Sequence, residues 1–145
     1  MNIYTMGFTQ KNAEQFFGII RENEIEMLID VRLNNQSQLA GFTKGKDIVY
    51  FLKELCNCNY DHNIAYAPTK EILQQYKKNN ISWEEYEKRY NNLIKSREIE
   101  SSFKSKYSQY TRVLLLCSEA TPEHCHRRLL AEYLQKELGC SIIHV

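Results

Sequence analysis

The chain has 145 residues, of which 43% are hydrophobic and 26% charged, the size and make-up of a globular domain; with only 5 Gly and 2 Pro, a disordered or collagen-like chain is excluded. Nineteen Lys and Arg against 18 Asp and Glu leave a formal charge of +1, so no whole-molecule field announces nucleic acid or a membrane as a partner. No apolar run reaches the roughly 18 residues of a membrane span, no basic and apolar leader opens the chain, and five scattered Cys read as free thiols; the expectation is a cytoplasmic protein of one domain, residues 1–145.

Along the chain, Asn2–Met6 predict a short strand closed by Gly7, and Asn12–Glu22 a helix with Phe16, Phe17, Ile19 and Ile20 at helical spacing. The continuous run Met27–Val31 has the pattern of a strand buried on both faces, so the opening reads as a β-α-β unit with a parallel pair. Residues 32–45 form a polar loop, Ile48, Phe51, Leu52 and Leu55 mark a second helix, and Asn59–His62 a further short strand. From Pro68 to about Gln109 the pattern is helical, with Thr69 as an N-cap and Ser82–Glu85 as a capping box; this reads as a helical insertion, about residues 68–110, packed on the sheet. Arg112–Leu116 is the strongest strand. Thr121-Pro122-Glu123 carries the signals of a helix start, Gly139 those of its end, and Cys140–Val145 close a second β-α-β unit. The fold class expected is a three-layer α/β domain with a mostly parallel sheet.

Polar clusters follow three of these strands: Gly7-Phe8-Thr9, Asp30-Val31-Arg32 and Cys117-Ser118-Glu119. In an open parallel sheet, ligands bind at the carboxyl ends of strands, so all three are expected to face one crevice. The densest stretch runs from Cys117 through Glu119 to His124-Cys125-His126-Arg127-Arg128, a strand end leading into a helix N-terminus whose free N–H groups and dipole favour anions and thiolates. At about 100° per residue, His126 aligns with Leu130 and Tyr133 on the inward face, Arg128 points away, and Arg127 and Cys125 fall on opposite flanks, so the whole cluster is not expected to reach one ligand. Two cysteines, a histidine and Glu119 are also metal-ligand types, although their spacing matches no standard zinc pattern. The alternative is structural: buried thiols as small packers, His126 as a bonded core histidine, Glu119 complementing the dipole, and Asp30–Arg32 as an ion pair. Cys56-Asn57-Cys58 reads as packing. The stripe Trp83, Tyr86 and Tyr90 reads as core, with a base-stacking platform as its rival; residues 67–112, with ten Lys and Arg against six Asp and Glu, supply the only local basic excess.

Thr5-Met6-Gly7-Phe8-Thr9, Asp30-Val31-Arg32 through Ser37, and Cys117-x-Glu119 with Cys125-His126-Arg127, in this order and spacing, resemble the domain of unknown function 488 family, over nearly the whole chain to Ile143-His144-Val145. The resemblance implies an α/β domain and a polar site at Gly7, Thr9, Asp30, Arg32, Ser37, Cys117, Glu119, Cys125, His126 and Arg127, and it implies no reaction. Two departures stand out: Phe8 occupies a place where members usually show His, and Asn35 and Gln36 stand where Pro and Arg are frequent. The arrangement is also loosely similar to rhodanese and cysteine-phosphatase sites, without their Gly-rich anion loop.

The functional expectation is a crevice that takes a small anionic or nucleotide-like ligand, bound by Gly7, Thr9, Arg32, Ser37, Cys125 and Arg127. Chemistry is expected from Cys117 as thiolate with His126, Glu119 or Asp30 as acid and base, in a Cys-dependent transferase or hydrolase. The alternatives are a module that contacts nucleic acid or protein without catalysis, and a Cys/His/Glu metal site. No cofactor, substrate or oligomeric state is legible.

Overall fold

Short apolar runs bounded by polar turns become the strands of one sheet in the computed structural model, which describes residues 1–36 and 40–145. The strands are β1 (Asn2–Gly7), β2 (Met27–Asp30), β3 (Asn59–His62), β4 (Arg112–Cys117) and β5 (Ser141–His144), and the helices α1 (Ala13–Glu22), α2 (Gly45–Cys56), α3 (Lys70–Lys77), α4 (Trp83–Ser96), α5 (Ile99–Tyr107) and α6 (His126–Leu138). The sheet is five-stranded in the order β3-β2-β4-β1-β5, and every pair is parallel. The three-layer α/β reading and the helical insertion, α3–α5 between β3 and β4, both hold. The opening β-α-β unit is parallel as expected, but its strands are not neighbours, because β4 lies between β1 and β2.

Alternation along the strands divides the core between the faces. Tyr4, Met6, Leu28, Leu114 and Leu116 meet Phe16, Phe17 and Ile20 of α1 and Ile48 and Leu52 of α2. Ile3, Ile29, Val113, Leu115 and Cys117 meet Tyr86, Tyr90, Ile94, Phe103, Leu130 and Leu134 on the other face, contributed by α4, α5 and α6. Each such large apolar side chain contributes about 1.5–3 kcal/mol by leaving water. The chain leaves β1 and β2 for helices on the first face and leaves β4 for α6 on the second. Topological switch points therefore flank β4 on both sides at its carboxyl end.

Local signals explain most helix ends. Asn12 caps α1 in a full capping box with Gln15, and Thr69 accepts from Ile72 N at the start of α3. Ser82 accepts from Glu85 N, but the Glu85 carboxylate turns to Arg89 instead of completing the box. Gly139 ends α6 with φ +73°. The start of α6 differs from the sequence reading. Residues 121–124 form turns, Cys125 N donates to Pro122 O at 3.3 Å, and the helix begins at His126 with Cys125 as an extended N-cap at φ −136° and ψ 137°. The Thr-Pro-Glu signals thus describe a turn that delivers the chain to the helix. Residues 32–45, read as a loop, contain a 3-10 turn at Gly41–Thr43. Among the described residues, no helix is long and apolar enough to cross a membrane.

Candidate functional site

Cys117 ends β4 on the face covered by α4 and α6, and it is 5% exposed. His126, the first residue of α6, points inward as its helical phase requires, and its Nε2 lies 2.7 Å from Val31 O. A carbonyl only accepts, so Nε2 carries a hydrogen and Nδ1 is the ring's acceptor position. Cys117 Sγ lies against the ring, 3.6 Å from Nδ1 and 3.8 Å from Nε2. Cys125 joins this pair: Cys117 Sγ, Cys125 Sγ and a His126 ring nitrogen lie within 4.8 Å of one another, and all three residues are buried. The sequence projection put Cys125 on a flank away from His126. Its extended N-cap conformation, one residue before the helix, is what turns it back toward Cys117. The Cys117 thiol is held below its ordinary pKa, first by the Cys125 thiol hydrogen, then by Ser118 N–H and the Arg127 charge, against burial and Asp30. Cys125 is pushed well above the ordinary value by the same bond and by burial.

These residues line a cavity of about 220 Å³ at the β4/β2 switch point. Arg32, Ser118 and Glu119 line it too, and Pro68, Leu73, Tyr76, Lys77, Tyr86 and His124 complete its wall. Tyr76, Lys77, Tyr86 and His124 were not singled out as site residues from sequence. The Tyr86 stripe reads equally well as core, and Trp83 does pack between Tyr86 and His124 with centroids 4.9 Å from each. The volume lies below the roughly 300–1,000 Å³ of a drug-sized pocket, so a small molecule, or one end of a nucleotide, fits.

The second cluster lies beside the cavity. Asp30 is fully buried, and its carboxylate accepts from Arg32 Nε at 2.8 Å, Arg32 Nη2 at 2.6 Å, Arg32 N at 3.2 Å and Tyr60 Oη at 2.6 Å. Arg32 also donates to Thr43 Oγ1 and Thr43 O and sits 5.3 Å from the Phe8 ring centroid. Asp30 does not line the cavity, and Arg32 reaches it with its charge already balanced. Tyr60 and Thr43, which no motif marked, complete this cluster; only the sheet pairing of β2 with β3 brings Tyr60 to Asp30. Phe8 serves as a platform for Arg32.

The β4/β1 switch point is filled. A Cβ on Gly7 would meet Glu119 O at 1.6 Å, so only glycine admits this approach of the two strand ends. Thr9 ties the same ends together, donating from Oγ1 to Ser118 O at 2.7 Å. Arg127, expected on a flank, is 1% exposed here; Nη1 donates to Glu119 O at 2.6 Å and Nε has no partner. Gly7, Thr9 and Arg127 are therefore near the cavity but not in its wall. The Glu119 side chain is exposed at the mouth and is not part of the Cys117–Cys125–His126 group. Ser37 lies outside the described residues.

Fold and site together define an α/β protein with a cysteine-rich cavity at the carboxyl end of its central strand. A family model described as Domain of unknown function DUF488 matches residues 12–134, and the chain belongs to this family. The match includes Asp30, Arg32 and the whole Cys117–Arg127 segment; Gly7, Thr9 and Ile143–Val145 fall outside its bounds. No curated protein and no solved structure matches the chain.

Proposed function

We propose that the chain binds a small anionic, nucleotide-like ligand at the strand ends and acts on it through a thiol-dependent centre at Cys117. The observation that carries this reading is the placing of Cys117 Sγ against the His126 ring inside the cavity, 3.6 Å from Nδ1 and 3.8 Å from Nε2, with Nε2 bonded to Val31 O. In the ligand-free protein, Nδ1 takes the thiol proton and can return it, the pairing that activates a cysteine. Glu119 at the mouth is a second acid or base within the same wall. Asp30 positions Arg32 instead of reacting. Lys77 and the remaining N–H of Arg32 supply positive charge for an anionic group. The reading of a nucleic-acid platform is weakened because Trp83, Tyr86 and Tyr90 stack on one another.

A limiting dose of iodoacetamide near neutral pH, followed by peptide mapping, tests this reading. Cys117 is expected to be labelled before the other thiols, with Cys58, whose pKa burial raises to about 12, among the last. Adenosine monophosphate or inorganic phosphate is expected to slow labelling at Cys117 and leave Cys140 unaffected. If Cys117 stays inert after chelation and dialysis while Cys56 or Cys140 reacts, the thiol reading fails.

A further inference from the structure

We infer that Cys117, Cys125 and His126 hold a thiophilic divalent metal, with zinc the first choice, and that its fourth coordination position opens into the cavity. The inference rests on the proposed placing of the chemistry at Cys117 and, with metal bound, makes Cys117 and His126 ligands in place of nucleophile and base. Tetrahedral geometry at Zn–S of about 2.3 Å and Zn–N of about 2.05 Å sets a sulfur-to-nitrogen edge of about 3.6 Å. The separation of Cys117 Sγ from His126 Nδ1 is 3.6 Å and the third ligand atom lies within 4.8 Å of both; because Sγ is also 3.8 Å from Nε2, the ring turns on metal binding to aim its Nδ1 lone pair at the ion. The ring is already held as a metal-bound histidine is held, with the distal N–H on a backbone carbonyl, here Val31 O at 2.7 Å. A ligand set of two thiolates and one imidazole selects zinc or a related borderline metal over Mg²⁺ or Ca²⁺.

Two further observations favour a three-ligand centre with an open position over a closed structural site. All three residues line the cavity, and no fourth His, Cys, Asp or Glu joins the group among the described residues. Arg32 gives most of its hydrogens to Asp30 and Thr43, so an incoming anion would take the open metal position, with Lys77 and the one remaining Arg32 N–H beside it. Binding displaces the protons of both thiols to solvent; no electron transfer is involved. A divalent metal with two thiolates and one anionic ligand carries a single net negative charge, and the buried guanidinium of Arg127 lies close enough to influence Cys117.

The test uses the reduced, full-length chain stripped with chelator and then titrated with Co²⁺ as an optical substitute for Zn²⁺. The expected result is stoichiometric binding with a thiolate-to-cobalt charge-transfer band, abolished by Cys117→Ser or Cys125→Ser and unchanged by Cys56→Ser. His126→Gln is expected to weaken binding by more than the roughly 10–100-fold typical of losing an outer-shell partner. No charge-transfer band in the wild-type protein, or the same band in Cys117→Ser and Cys125→Ser, overturns the inference. Should either serine variant not fold by circular dichroism, the wild-type protein decides alone: added Zn²⁺ must protect Cys117 and Cys125 from iodoacetamide but not Cys140, and absence of protection overturns the site. Metal binding without phosphate or nucleotide protection would retain the metal and remove the ligand reading; protection of the metal-free protein without Co²⁺ binding would do the reverse.

Discussion

Two buried polar clusters sit side by side at the strand ends and are built on opposite principles. Around Asp30 and Arg32, the carboxylate accepts four hydrogen bonds and the guanidinium gives its hydrogens to Asp30 and Thr43, so the charges are closed on each other. Around Cys117, the sulfurs lie against the His126 imidazole with no charge opposite them, and the neighbouring Arg127 is buried with an unpartnered Nε and no acidic partner among the described ion pairs. Buried polar groups are normally satisfied, and shortfalls concentrate where a protein does chemistry. The first cluster therefore reads as scaffold for the loop after β2, the second as the working end of β4.

The sharpest way to break this comparison is Asp30→Asn. It leaves the Arg32 charge buried without its partner and is expected to cost about 3–5 kcal/mol in a denaturant titration. The double replacement Asp30→Leu with Arg32→Met should recover most of that loss, as isosteric apolar pairs often do. Gly7→Ala should follow at about 1–3 kcal/mol, because its methyl forces the Glu119 carbonyl off the end of β1. Arg127→Met, by contrast, breaks no ion pair. We expect it to cost about 1.5–3 kcal/mol, the scale of one hydrogen bond to a charged group. A cost as large as that of Asp30→Asn would show that the second cluster is scaffold too.

The smallest effect is a pH slope at His144, whose pKa burial lowers first, helped by the Arg127 charge, below the ordinary 6.5. The unfolded chain then takes up that proton more readily than the folded one. This contribution to stability is present above about pH 6.5 and is lost as the pH falls through the lower folded value. Unfolding midpoints measured at about pH 7.5 and about pH 5 should fall less in His144→Gln than in wild type.

What was legible in the sequence is what local chemistry dictates. Thr69 and Ser82 cap helices because a side-chain oxygen two or three residues from a free N–H needs no tertiary partner. The runs Met27–Asp30 and Arg112–Cys117 show their burial on both faces directly as continuous apolar stretches. The order of strands was not legible, since placing β4 between β1 and β2 depends on pairing residues as far apart in the chain as Asn2 with Arg112 and Met27 with Val113. Of the candidate site, the inward phase of His126 followed from helical geometry. The convergence of Cys125 on Cys117 did not, because the Thr-Pro-Glu start signals describe a turn as well as a helix, and the shift of the N-cap from Thr121 to Cys125 re-aims every side chain before it. Tyr60 and Thr43 reach Asp30 through sheet pairing and loop closure, for which no sequence spacing speaks.

Cys125 stands at the one position of α6 where the fold would be better served by another residue. Its backbone has N-cap geometry, yet its side chain makes no capping hydrogen bond, because a thiol is a weak acceptor where Ser, Thr or Asp is a good one. Selection for thermal robustness alone would replace it with serine, a change typically worth about 1 kcal/mol at such a site. A directed-evolution experiment that rewards only heat resistance should therefore discard the sulfur at this position early and lose the thiol cluster while the fold gains stability.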